Sequence, residues 1–156
     1  MIILLALLIL LIPTFANATT YWVSPAGGSS TCSAVDGDAD PGVYMTLAQI
    51  DTSNCASAGD TVMFKAGTYT GAYKLWHLII PSGTSPTNRS TTLCEGDRTC
   101  IIAFSSIPFS EAGPITAYDV SYYQIGAIGH GFKTTCVNSS NPVCGGIYLQ
   151  LSTSTT

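Results

Sequence analysis

The chain has 156 residues, with 5 Lys+Arg against 9 Asp+Glu and a formal net charge of −4. That length accommodates one domain, and so few cations leave no basic patch for a phosphate backbone, which excludes nucleic acid as the expected partner. Abundant Gly, Ser and Thr, without helix-forming runs of Ala, Glu, Lys and Leu, point to a β-rich, turn-rich protein with polar, uncharged surfaces.

Residues 1–18 read as a signal peptide. Ile2 to Ile12 is an unbroken apolar run, Pro13 breaks it, and Ala16-Asn17-Ala18 supplies a small-x-small cleavage pattern. No Lys or Arg follows Met1, so the α-amino group is the only positive charge at the start. An apolar helix of this length spans about 16 Å, roughly half a hydrocarbon core, which argues against a permanent anchor. Cleavage after Ala18 predicts a mature chain from Thr19 with no membrane attachment, secreted to the extracellular space or held in the periplasm or at the cell surface.

All six cysteines lie beyond that point: Cys32, Cys55, Cys94, Cys100, Cys136 and Cys144. An even number in an exported chain reads as disulfides. Short-range pairs are favoured, because Cys94/Cys100 and Cys136/Cys144 each bracket a turn-rich segment, which leaves Cys32 with Cys55. Zinc is the weaker alternative, since no Cys-x-x-Cys occurs and His130 is the only histidine near a cysteine pair. Asn88-Arg89-Ser90 and Asn138-Ser139-Ser140 are glycosylation sequons; Asn17-Ala18-Thr19 also matches but straddles the cleavage site.

In the mature chain, residues 19–60 form an N-terminal cap. Tyr21-Trp22-Val23 is a short strand, and a polar loop runs from Ser24-Pro25 through Asp40-Pro41-Gly42. Val43 to Asp51 is the one expected helix, with Tyr44, Leu47, Ala48 and Ile50 as its buried stripe. Gly59-Asp60 then turns the chain into Thr61 to Lys65, where Val62 and Phe64 alternate with polar neighbours. Over residues 61–151 apolar β segments recur: Val62-Met63-Phe64, Leu78-Ile79-Ile80, Ile101 to Phe104, Tyr122 to Ile125 and Ile147-Tyr148-Leu149, with smaller pieces such as Ile115-Thr116-Ala117 between them. From the second onwards their centres lie about 22 to 24 residues apart, a period that favours a solenoid over a β-sandwich, whose strands lie about 8 to 12 residues apart. Residues 152–156 are a polar tail.

The order Tyr21-Trp22-Val23-Ser24-Pro25, Asp40-Pro41-Gly42, short helix, then Gly59-Asp60-Thr61-Val62-Met63-Phe64-Lys65-Ala66-Gly67-Thr68-Tyr69 resembles the N-terminal section of pectate-lyase-like proteins. Pro114-Ile115-Thr116 and Val120 to Ile128 are similar to the coils that follow, so the resemblance covers roughly residues 20 to 130. It implies an all-β fold: a right-handed parallel β-helix with a short N-terminal capping helix, the opening pattern that chondroitinase B and alginate-lyase-like enzymes share. Such proteins continue for many more coils, which carry their catalytic bases, arginines and calcium carboxylates. A solenoid ending at Thr156 without a polar cap exposes its stacked core. The expectation is therefore a fragment truncated at the C-terminus, prone to end-to-end self-association, with a short form closed by a partner as the alternative.

The candidate chemistry is sparse. Asp36, Asp38 and Asp40 alternate like the start of a calcium loop, but Pro41 and Leu47 stand where an EF-hand needs Gly and Glu. No cofactor is evident in the chain, and calcium is implied only for a longer parent. Lys65 could take a uronate proton or hold its carboxylate, although an outward, solvated lysine is the commoner role of such a residue. His77 and His130 could act as general bases, yet neither has a carboxylate neighbour in sequence, and Gly-x-Ser-x-Gly is absent. Tyr69, Tyr73 and Trp76 form an aromatic group suited to stacking on sugar rings, or to filling the interior of the fold. The resemblance implies a parent that acts on or binds polysaccharide, chiefly acidic, as a lyase or a glycoside hydrolase. The alternatives are a non-catalytic glycan-binding or adhesion module and a structural surface protein.

Overall fold

The computed structural model describes residues 18–70, 82–104, 115–118, 121–136 and 147–150. Residues 1–17 of the segment read as a signal peptide (1–18), the run Leu78-Ile79-Ile80 and the polar tail lie outside the described residues. Nine strands are present among the described residues: β1 (Thr20–Val23), β2 (Thr61–Phe64), β3 (Gly67–Thr70), β4 (Ser90–Cys94), β5 (Cys100–Phe104), β6 (Ile115–Tyr118), β7 (Tyr123–Ile125), β8 (Phe132–Cys136) and β9 (Ile147–Gln150). One α-helix is described, α1 (Leu47–Ser53), together with a single 3₁₀ turn at Cys32–Ala34.

All the ladders between these strands are parallel. One sheet has the order β1-β2-β4-β7, a second β3-β5-β8, and a third pairs β6 with β9. These small open sheets replace the closed right-handed β-helix expected from the sequence, and no closed coil is formed among the described residues. The physical reason lies in the period. Segments that look equally spaced along the chain belong to different sheets: β5 joins the three-stranded sheet, β7 the four-stranded sheet and β9 the two-stranded pair. Partners within a sheet recur at a longer spacing, Cys100 opposite Phe132 and Ile115 opposite Ile147, a recurrence of roughly 30 residues.

Between β2 and β3 only Lys65 and Ala66 intervene, and the chain passes there from one sheet to the other. The Lys65 N–H donates to Val23 O at 2.9 Å and the Gly67 N–H to Thr99 O at 3.0 Å, so the step is bonded on both sides. Each sheet then turns one set of alternate residues inward. Val23, Val62, Phe64 and Cys94 face Tyr69, Cys100 and Ile102, and all are buried. Phe64 links the two sheets, with its ring centroid 5.0 Å from Tyr69 and 5.2 Å from Phe132.

β4 and β8 were not anticipated from the sequence. The inward positions of β4 are Ser90, Thr92 and Cys94 rather than large apolar residues, and all three are buried. They are accommodated because they are bonded: Ser90 Oγ accepts the Gly59 N–H at 3.0 Å, and Thr92 Oγ1 lies 2.8 Å from the Tyr123 hydroxyl. Gly59 has φ of 92°, which glycine adopts freely, and a Cβ there would collide with the Asn88 side chain.

The helix starts later than expected. Thr46 is its N-cap, accepting from the Gln49 N–H, while Gln49 Oε1 accepts the Thr46 N–H, a reciprocal capping box. Tyr44 and Val43 therefore fall in the preceding loop. Leu47 and Ile50 supply the buried face, packing with Val35, Met45 and Ala56 at the end of the β1 sheet.

The disulfides Cys32–Cys55 and Cys94–Cys100 are formed, with Cα separations of 5.5 Å and 5.7 Å. The first fastens the 3₁₀ turn to the segment after α1, and the second closes the turn between β4 and β5. Cys144 and the side chain of Cys136 lie outside the described residues. Among the described residues no helix is long and apolar enough to cross a membrane.

Candidate functional site

Lys65 is where the loop before α1, β1 and the β4–β5 turn converge. Its Nζ lies 2.7 Å from Asp40 Oδ2, pairs also with Glu95 Oε1, and sits 5.6 Å from the ring centroids of both Trp22 and Tyr44. Asp40 is held in turn by the Tyr44 hydroxyl at 2.7 Å and the Gly42 N–H at 2.9 Å, and Glu95 Oε2 accepts the Ala66 N–H. Trp22 covers the ammonium from one side while its indole N–H donates to Gly37 O at 3.1 Å. Lys65 is thus an outward, partly solvated lysine that also acts as a latch between three segments.

The electrostatics follow from these bonds. Hydrogen bonds from Lys65, with help from Gly42 and Tyr44, lower the Asp40 carboxyl to about 2. The bond from Lys65 also lowers Glu95, and bonds to Asp40 and then Glu95 raise the Lys65 ammonium above its ordinary value. Raising the ammonium's pKa makes Lys65 less suited to accept a uronate proton near neutral pH.

The signs give a pH prediction. Folded-state values below the ordinary carboxylate range mean that stabilisation from Asp40 and Glu95 is complete above about pH 4 and is lost as pH falls towards 2. The Lys65 contribution is complete below its ordinary value and is lost only when pH rises above it. In Lys65→Met the Asp40 carboxyl should titrate nearer to 4, followed by carboxyl carbon NMR, with part of the lowering retained because Gly42 and Tyr44 still donate. High salt should weaken the difference, since the three groups are partly exposed.

Tyr69 is buried, not a platform for sugar. Its hydroxyl donates to Lys65 O at 2.8 Å and lies 3.1 Å from Val23 O, its ring packs on Phe64, and burial raises its pKa. Its aromatic companions Tyr73 and Trp76, and the histidine His77, lie outside the described residues. His130 is drawn onto the β4 end: its Nδ1 is 2.7 Å from Cys94 O, so Nδ1 donates to that carbonyl.

The three aspartates are not gathered. Asp36 bridges Tyr21 through the backbone, Asp38 Oδ1 accepts from Thr20 Oγ1, and Asp40 belongs to the Lys65 latch. Among the described residues no group of three or more His, Cys, Asp or Glu is placed to hold a metal ion. Asn88 is exposed, with its side-chain amide donating to Thr84 Oγ1 at 2.7 Å, whereas Ser90 of the same sequon is buried. Asn138 lies outside the described residues.

A cleft of about 260 Å³ opens where β3 meets the start of α1, lined by Ser24, Pro25, Thr46, Leu47, Ala48, Thr68, Tyr69 and Thr70. Alternation along β3 sends Tyr69 inward and leaves Thr68 and Thr70 exposed. Hydroxyls from three segments therefore stand beside the apolar surfaces of Pro25, Leu47 and Ala48, with no charged side chain among the described lining residues. The Thr-Tyr-Thr pattern held a signal for the outward threonines; Ser24 and Thr46 reach the cleft only through the tertiary fold.

No family model matches the chain, and neither a curated protein nor a solved structure matches it.

Proposed function

We propose that this protein is exported, loses residues 1–18, and binds polysaccharide through the cleft between β3 and α1. The observation that carries the reading is the lining itself: Ser24, Thr46, Thr68 and Thr70 beside Pro25 and Leu47. Sugars present hydroxyls at their edges and C–H groups on their faces, and a surface of alternating hydroxyl and apolar patches complements both. Among the described lining residues no Lys, Arg or His occurs, which favours an uncharged glycan over a uronate polymer. The resemblance to pectate-lyase-like proteins supports polysaccharide in general, although it implies an acidic one, and the two disulfides suit an oxidising compartment.

Binding without turnover is the reading that the side chains favour, because Lys65 is held charged and Tyr69 is buried. The test is retention on insoluble glucan, mannan, xylan, pectate and alginate. Retention on an uncharged polymer, lost at least tenfold in Thr68→Ala/Thr70→Ala with an unchanged melting temperature, is the expected result. Equal retention of the double variant, or retention confined to pectate and alginate, would move the binding surface elsewhere.

A further inference from the structure

Asp60 is a carboxylate with an unusual set of partners. It is 8% exposed, and its two oxygens accept the Thr19 N–H at 2.8 Å and the Ser57 N–H at 2.7 Å. Among the described residues no Lys, Arg or His lies within ion-pair distance of it. A buried carboxylate held by two amides and no cation is an incomplete arrangement, because burial penalises its charge. Both ends of the contact are fixed: the Thr61 N–H donates to Thr19 O at 2.9 Å, and the Thr91 N–H donates to Asp60 O at 2.9 Å.

One of the two nitrogens bonded to this carboxylate is the one that export changes. Hydrolysis of the Ala18–Thr19 peptide bond, by an endopeptidase of the export machinery, consumes one water. Ala18 leaves as a carboxylate and Thr19 keeps its nitrogen as an amine, which takes a proton at neutral pH. The geometry points to Asp60 as the receptor for the α-ammonium of Thr19, so that removal of the signal segment completes a buried ion pair and stabilises the mature fold. The site has room for the change. Ala18, Thr19, Tyr21, Ser57, Ala58, Asp60 and Asn88 line a cleft of about 260 Å³, and its Ala18 wall departs with the leader. The amide–carboxylate bond is already charge-assisted; replacing the amide by an ammonium adds the attraction between two opposite unit charges in a largely buried site.

This inference rests on the cleavage proposed above, and mass spectrometry separates the two. A secreted product starting anywhere but Thr19 refutes the cleavage and with it the capture. With Thr19 established, three chains are compared: one starting at Thr19, one retaining Ala18, and one starting at N-acetylated Thr19. The free Thr19 chain should melt about 4 °C higher than the other two at pH 6, and Asp60→Asn should abolish that difference. Three coincident melting curves, or a difference that survives Asp60→Asn, would overturn the proposal.

If Asp60→Asn does not fold, the α-amine of the mature chain decides by ¹⁵N-detected titration. Pairing raises its folded value above the ordinary value of about 8, so the added stability is complete below that pH and is lost as pH rises through the folded value. Tyr21 and Asp36 are the other titratable groups facing this corner. Tyr21→Phe should leave the raised value in place; an unshifted amine would overturn the capture.

Discussion

Phe64→Ala should destabilise the folded protein by about 3–5 kcal/mol, the range for deleting a buried aromatic ring. Phe64 is 6% exposed, at the last position of β2, and is the side chain on which the two larger sheets meet. Its ring stands edge-on to Phe132 of β8, at 88°, and tilted by 60° to Tyr69 of β3. Removing it leaves a void that backbone bonds on either side prevent from closing: Glu95 N–H to Phe64 O and Lys65 N–H to Val23 O. Each aromatic contact adds about 0.5–1.5 kcal/mol beyond the buried area, so Phe64→Leu should cost less than Phe64→Ala but more than a simple volume change. Urea unfolding checks this, with the midpoint falling and the slope unchanged.

Cys32→Ser/Cys55→Ser should cost about 3 kcal/mol by the loop-closure relation, and its signature should differ. The bridge spans 23 residues of sequence, from the 3₁₀ turn to the residue beyond the αL cap Asn54. Inside that span lie the loop carrying Asp40 and Tyr44, the helix α1 and the buried Met45, Leu47 and Ile50. Opening it frees the denatured chain more than it disturbs the native one. Urea unfolding should therefore show a lower midpoint and a steeper slope, because more surface is exposed. The Cys94–Cys100 bridge closes a separation of only 6, so its loss should cost less by the same relation.

The strands whose inward residues are large were legible before the structure. Tyr21-Trp22-Val23, Val62-Met63-Phe64 and Ile101 to Phe104 show β-branched and aromatic side chains, and β1, β2 and β5 follow them closely. β4 was not legible, because Ser90 and Thr92 look like loop residues until Gly59 and Tyr123 are seen to bond them. Sheet membership was also hidden. Spacing along a chain does not say which sheet a strand joins, and the two-residue step at Lys65-Ala66 is what reassigns it. For the helix, a stripe counted from Tyr44 placed the start too early; the Thr46–Gln49 capping box marks it.

Of the candidate sites, little was local. Asp40 and Glu95 lie 25 and 30 residues from Lys65, so no short pattern announces the latch. The Thr19–Asp60 contact spans 41 residues and joins two stretches that were read separately, one as a cleavage site and the other as a turn. The outward threonines of β3 were not picked out from the sequence, where Gly67-Thr68 looks like a break, and they carry the proposed binding face.

Backbone chemical-shift mapping of the mature chain with a soluble oligomer of the retained glycan tests that face most directly. The expected shifts cluster at Ser24, Thr46, Thr68 and Thr70 and saturate with added ligand, without formation of unsaturated product. Shifts centred on Lys65, Asp40 and Glu95, with absorbance from an unsaturated uronate product, would contradict it and make the latch a catalytic site.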